Sequence, residues 1–174
     1  MATTTLSQFN IAKLRQIVAT ALSLPDELVF SGRKHQVDKL NAFVTVDLTT
    51  SQEIGTSRRE FDGDNETETI YTACQSLVSI SAYGENAIAL MLKLRTLLQS
   101  SSCLDAFRAE NWGLLSCSDV RNLSATVAYD YEERGQMDLT ITHEHSVIAL
   151  LFRTQAVDIH PNSQSISINK ETKR

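Results

Sequence analysis

Residues 77–98 read LVSISAYGENAIALMLKLRTLL, and the reading of this passage decides the fold. Val78, Ile80 and Ala82 alternate with Ser79, Ser81 and Tyr83. That two-residue period belongs to a half-buried strand. Gly84 breaks the extended run, and Glu85 and Asn86 are an acidic and a capping residue suited to a helix start. From Ala87 the period changes. Ala87, Leu90, Met91, Leu94, Leu97 and Leu98 fall at three- and four-residue steps and form a wide apolar face, with Lys93, Thr96 and Ser100 on a narrow polar stripe opposite. One strand therefore runs straight into a helix expected to bury most of its circumference. Other strands must supply the surface on which it packs.

Upstream, residues 6–22 are expected as a first helix, with Leu14, Ile17, Val18, Ala21 and Leu22 on one stripe and Pro25 ending the ladder. Residues 27–30 form a short strand and 33–39 a charged loop. Residues 42–48 alternate as a strand, with Ala42, Val44, Val46 and Leu48 on one face. Residues 53–61 are expected to pair with that strand as a hairpin. Asp62-Gly63 marks a turn before a long strand over 69–82. After the central helix, residues 103–110 suggest a short helix with Leu104 and Phe107 inward. Val127, Tyr129 and Tyr131 alternate as one strand, and residues 132–135 interrupt it as a bulge or turn. Met137, Leu139 and Ile141 alternate as another strand, and residues 147–159 form a last one, in one or two pieces. The order of helix, strands, helix, strands indicates an α+β fold with a mainly antiparallel or mixed sheet packed against two principal helices. Residues 1–160 are expected as a single domain and 161–174, rich in Ser, Asn and Lys, as a flexible tail.

Composition narrows the function classes. The formal net charge of −5 comes without a clustered basic stripe, which disfavours a nucleic-acid reader. Cys74, Cys103 and Cys117 are odd in number and lack CxxC spacing, so they read as reduced thiols of a cytosolic product. The N-terminal MATTTLSQFN has neither the basic nor the apolar region of a signal peptide. The apolar run at 87–98 is interrupted by Lys93 and Arg95 and is too short to span a bilayer.

Four constellations invite chemistry. His143 and His145 would share one face of a strand and are weak candidates for a metal site. No third ligand is evident, His35 and His160 carry no spacing signal, and HEH lacks the HExxH geometry. Two surface histidines beside a turn are the plainer reading. Asp62, Asp64, Glu66 and Glu68 resemble a calcium loop in composition but not in ligand order. Asp119, Asp130 and Asp138 lack the G-x-S-x-G elbow that would expose a serine partner. No Walker or G-x-G-x-x-G sequence occurs, so neither a catalytic residue nor a cofactor is assigned. Tyr129, Tyr131, Glu132, Glu133, Arg134 and Asp138 make a charged, amphipathic strand region. It reads either as a solvated face with cross-strand ion pairs or as a polar interface between subunits.

Three passages together resemble a known family. They are ALSLPDELVFSGR at 21–33, SLVSISAYGENAIALMLKLRTLL at 76–98, and VRNLSATVAYDYEERGQMDLTIT at 120–142, in which Tyr131, Arg134, Asp138 and Leu139 stand in order. The chain resembles the neck or tail-terminator proteins of tailed bacteriophages, of the phage neck terminator type, over roughly residues 6–160. The middle, 51–68, and the residues after His160 do not contribute to the likeness. The resemblance implies a tail-terminator-like α+β fold and a structural role in the virion, assembled in the host cytoplasm. Such a subunit forms a homo-oligomeric ring, usually a hexamer, at the head-proximal end of the tail. The ring stops growth of the tail tube and receives the head-completion or neck protein. Genomic DNA only passes through the lumen, and no membrane is involved. Tyr131, Arg134 and Asp138 would serve subunit or partner contacts. The alternatives are another head–tail connector or tail-completion ring protein, or a small cytosolic enzyme with a metal at His143 and His145.

Overall fold

The computed structural model describes residues 3–32, 42–127, 130–151, 156–159 and 166–169. The described residues form a mixed α and β architecture with three α-helices and a large share of strand. Strand β1 (Thr3–Ser7) leads into α1 (Ile11–Leu22), and a 3-10 turn at Asp26–Leu28 into β2 (Val29–Phe30). Then come β3 (Phe43–Glu53), β4 (Arg58–Asp62) and β5 (Thr67–Tyr83). Helices α2 (Ala87–Leu97) and α3 (Ser101–Ala109) follow. The chain continues through β6 (Gly113–Cys117), β7 (Arg121–Asn122), β8 (Ala125–Val127), β9 (Asp130–Glu132) and β10 (Arg134–Leu150). Strands β11 (Ala156–Ile159) and β12 (Ile166–Asn169) come last.

The main sheet has eight strands. Its path is β1-β10-β5-β3-β2, with β4 on β5 and with β6 and β7 on β10. Among the described residues, only the β2–β3 pairing is parallel. The spine is the pair β5–β10, aligned over seventeen register positions from Arg134↔Tyr83 to Leu150↔Thr67. Side chains alternate across a strand. Val78, Ile80 and Ala82 of β5 and Met137, Leu139 and Ile141 of β10 therefore share one face. With Val44 and Val46 of β3 they meet Leu14, Val18 and Leu22 of α1, Ala87, Met91 and Leu94 of α2, and Phe107 of α3. Fully burying each such side chain contributes about 1.5–3 kcal/mol, so this face fixes the fold.

Several local expectations are corrected. Residues 6–7 belong to β1, because Asn10, not a residue before Leu6, caps α1: its side chain accepts from the Ala12 N–H at 3.0 Å. Strand β4 pairs with β5 instead of β3, because β5 extends past the end of β3 and offers the free edge. Leu48 is 47 % exposed, at a register shift between Leu48 and Thr50 that interrupts the alternation. The expected single strand through Val127 and Tyr131 is two short strands, β8 and β9, paired antiparallel. Helix α2 buries a stripe of Ala87, Met91 and Leu94 while Leu92 is 50 % exposed, so less of its circumference is covered than its composition suggests. In α3, Cys103 and Phe107 are the buried pair, and Leu104 is half-buried. Ile166–Asn169 forms β12 against β11. The loop expectation for 33–39 lies outside the described residues.

Candidate functional site

The start of α2 is held from a distance. Asn86 sits at φ 62°, in the left-handed region, and makes no side-chain cap. Glu133 takes that role. Its carboxylate accepts the N–H groups of Asn86 and Ile88, each at 3.0 Å, and its carbonyl accepts Gly84 N–H at 3.1 Å. A carboxylate on the exposed donors of a helix N-terminus satisfies them and opposes the helix dipole favourably. Two residues on, Gly135 lies under α2. A Cβ there would come 3.0 Å from Met91 Cγ, 3.1 Å from the Ala87 carbonyl oxygen and 3.2 Å from Ile88 Cα. Residues 132–135, expected as an interruption, thus clamp helix to sheet.

Opposite the helices, the sheet face is polar. It carries Thr45 of β3, Ser79 and Ser81 of β5, and Gln136, Asp138, Thr140 and Thr142 of β10, as the register and the two-residue period require. Gln136 Nε2 donates to Ser79 Oγ at 2.6 Å. Aromatic rings cross one end of this face strand by strand. Phe30 stacks on Phe43 at 5.4 Å between centroids, Phe43 on Tyr83 at 4.8 Å, and the Arg134 guanidinium lies over Tyr83 at 4.9 Å. Arg134 Nε is buried without a hydrogen-bond partner. Nearby, Asp47 holds the end of β2: Ser31 Oγ donates to it at 2.6 Å and Gly32 N–H reaches its two oxygens at 3.1 and 3.0 Å.

The interface candidates are therefore not one cluster. Arg134 and Asp138 share the polar face of β10, but each has a partner within the chain: Tyr83 for the first, the Arg121 guanidinium for the second. Tyr131 lies on the separate β8–β9 pair and is 69 % exposed. Tyr83, Arg121 and Glu133 complete these arrangements, and sequence spacing gave no signal for them because each contact spans strands.

The histidine pair has a structural setting. His143 is buried and stacks on Phe9 at 5.0 Å, and Phe9 lies 4.8 Å from Trp112. His143 Nε2 is 2.9 Å from Ser76 Oγ, which donates to Ser51 Oγ at 3.0 Å. The other ring nitrogen, Nδ1, is buried with no hydrogen-bond partner. Burial pushes the imidazole below its ordinary value, and the charge of His145 adds in the same direction, against a smaller upward pull from the Glu144 backbone. His145 is half-buried. Among the described residues no group of three or more His, Cys, Asp or Glu side chains is placed to hold a metal ion. His35 and His160 lie outside them. Cys74, Cys103 and Cys117 are free thiols, and burial pushes Cys74 and Cys117 up, away from the thiolate a nucleophile needs.

The acidic loop is a turn. Asp62 accepts from Asn65 Nδ2 at 2.7 Å and from the N–H groups of Asp64 and Asn65 at 3.0 and 3.3 Å. Asn65's side chain and backbone, then Asp64's backbone, hold its carboxyl below the usual range. Its oxygens thus close the β4–β5 connection. Asp119 pairs with Arg95 at 3.0 Å. A groove of about 380 Å³ between α1 and α3 is lined by Ile17, Ala21, Leu97 and Ala106, with Lys13 and Glu110 paired across it at 3.7 Å. No described helix is long and apolar enough to cross a membrane.

Residues 11–170 of the 174-residue chain match the family described as phage neck terminator protein. No curated protein matches. The match reaches past residue 160 and takes in both β11 and β12.

Proposed function

The chain belongs to the phage neck terminator family, a structural family of the virion tail and neck, and on that membership we propose that it is a ring subunit that ends the tail. Six copies form the ring at the head-proximal end of the tail tube. The ring stops tube growth and presents the surface on which the head-completion or neck protein docks. The family match over residues 11–170 carries this reading. The site geometry agrees with structural work: Arg121 engages Asp138, Arg134 lies over Tyr83, and Asp62 closes its own turn.

Head-to-tail contacts that close a ring are heterologous, so two different surfaces of the subunit meet. Tyr131, Arg134 and Asp138, on and beside the polar sheet face, are proposed as contact residues for a neighbouring subunit or the docking partner. A net charge of −5 favours DNA sliding through the lumen over sticking to it.

The test is negative-stain microscopy of purified tail tubes mixed with a tagged full-length chain. A ring of tag at one tube end is expected. Tag along the whole tube, or at neither end, would sink the terminator reading. Growth of tube protein in the presence of the chain should stop at defined lengths.

A further inference from the structure

From Val78 to Gln75 of β5 the main sheet narrows to four strands, in the order β3-β5-β10-β6. Each neighbouring pair is antiparallel, so the two outermost strands, β3 and β6, run in opposite directions. Strand β2 covers the outer side of β3 only at Val44 and Thr45. Among the described residues, nothing pairs with that side over residues 48–53, and nothing pairs with the outer side of β6. Residues 48–53 are all exposed, and so are Gly113, Leu115 and Ser116 of β6. These are two free edges of one sheet, three strand spacings or about 14 Å apart. They cannot pair with each other within a chain.

A free edge is a row of unpaired N–H and C=O groups that templates another strand, and proteins that keep an edge single often set Lys or Pro along it. Neither edge here has them. Residues 48–53 read LTTSQE and Gly113–Cys117 read GLLSC, with Glu53 the one charge among them. Strand β4, by contrast, reads RREFD. Each edge has one bulge, at Thr49 and at Leu115, where two residues face one on the partner strand. A bulge bends its strand and increases the local twist. The bending does not hide the edges: Leu48 is 47 % exposed and Leu115 60 %.

We infer that the outer edge of β3 in one copy pairs with the outer edge of β6 in the next copy, extending one antiparallel sheet from copy to copy. The occupant is a second copy because the two edges fit each other. Set beside the first in the same orientation, it brings β3 against β6 in opposite directions, as antiparallel pairing needs. The open part of β3 covers residues 48–53 and β6 covers Gly113–Cys117, so both are about 17–20 Å long. Each leaves one leucine in the open. Every copy gives one edge and receives on the other, so the contact is heterologous and can close. Closure sets the helices of all copies on one side of the extended sheet and the polar side chains of Ser79, Gln136, Asp138 and Thr140 on the other. This inference rests on the ring reading and names the contact that builds the ring.

The test uses full-length chains carrying Cys117→Ser, which removes the half-buried thiol of β6 and leaves only the buried Cys74 and Cys103. A tagged Thr50→Cys chain is mixed with an untagged Leu115→Cys chain, in solution and on tail tubes, and treated with a short bismaleimide. A tagged–untagged dimer is expected on a denaturing gel, and none when either chain is treated alone. A chain with both substitutions should give a ladder that ends at the closed ring. Leu115→Lys should weaken self-association at least about tenfold, the effect of losing one buried aliphatic contact. Thr50→Lys should weaken it too, and the urea midpoints of both variants should stay put. The inference is overturned if no mixed dimer forms in either setting, if Thr50→Cys chains cross-link to one another, or if both lysine variants assemble normally. Rings at tube ends without the mixed dimer would sink this contact and leave the ring standing. Absence of both would sink the ring reading with it.

Discussion

Replacing Gly135 by alanine tests the contact on which α2 rests. Two effects oppose each other. Alanine narrows the unfolded ensemble, which stabilises by about 0.4–1 kcal/mol where the native backbone accepts it. Gly135 is not among the residues at positive φ, so the backbone does accept it. Against this, the new methyl would meet Met91 Cγ at 3.0 Å, the Ala87 carbonyl oxygen at 3.1 Å and Ile88 Cα at 3.2 Å. Met91 can turn aside, but it is fully buried and has little room. The other two atoms are helix backbone. They move only if α2 lifts from the sheet, and α2 is held there by the Glu133 carboxylate and by buried Leu94 and Leu98. Overpacking of this kind costs about 1–3 kcal/mol. The clash therefore outweighs the entropy gain, and Gly135→Ala should destabilise by about 1–2 kcal/mol. Urea unfolding followed through the single, buried Trp112 reads this directly. With a slope near about 2 kcal/mol per molar, the midpoint should fall by about 0.5–1 M at unchanged slope. A midpoint that stays level or rises would refute the close approach of α2 to β10.

Glu133→Ala should cost about 1 kcal/mol by releasing two helix N–H groups, while Glu133→Gln, which keeps an acceptor, should cost less; urea midpoints of the two variants compare them. The burial of His143 gives a pH dependence. Its folded value lies below the unfolded one, so the unfolded chain binds the proton first. The stability this contributes is complete above the unfolded value of about 6.5 and is lost as pH falls through the folded value. Thermal midpoints should therefore drop on acidification below neutrality, and His143→Gln should flatten that part of the profile. Asp138→Asn should change stability by less than about 1 kcal/mol, because its pairing with Arg121 is partly exposed; a larger loss by chemical denaturation would show that the pair is structural.

The parts of this fold legible in the sequence are those with a local period. The long strand, the turn at Gly84, the central helix and the alternation of Met137, Leu139 and Ile141 all recur in the structure. What stayed hidden depends on residues far apart in sequence. Asn86 has the chemistry of a cap, yet its left-handed backbone leaves the donors to Glu133, forty-seven residues away from Asn86. Gly135 looked like punctuation between strands, although it is a buried strand residue opposite Ala82 whose missing side chain lets α2 settle. Likewise HEH displays two histidines at strand spacing, but no local pattern reveals that Phe9 covers one of them and that Ser76 and Ser51 extend its hydrogen bonding.

This division has a consequence for experiment. Core residues of β5 and β10 lie under the helices, while residues 67–71 and 147–151 of the same strands lie beyond them. A substitution at Gly135 acts on the first half and should move the unfolding midpoint. A substitution at Val147 acts on the second half, where the residues are at most half-buried, and should cost less than one in the closely packed first half. The effect of a substitution on stability should therefore fall off along one pair of strands. If Val147→Lys unfolded the chain as readily as Gly135→Ala, this outer half of the two strands would be part of the core after all.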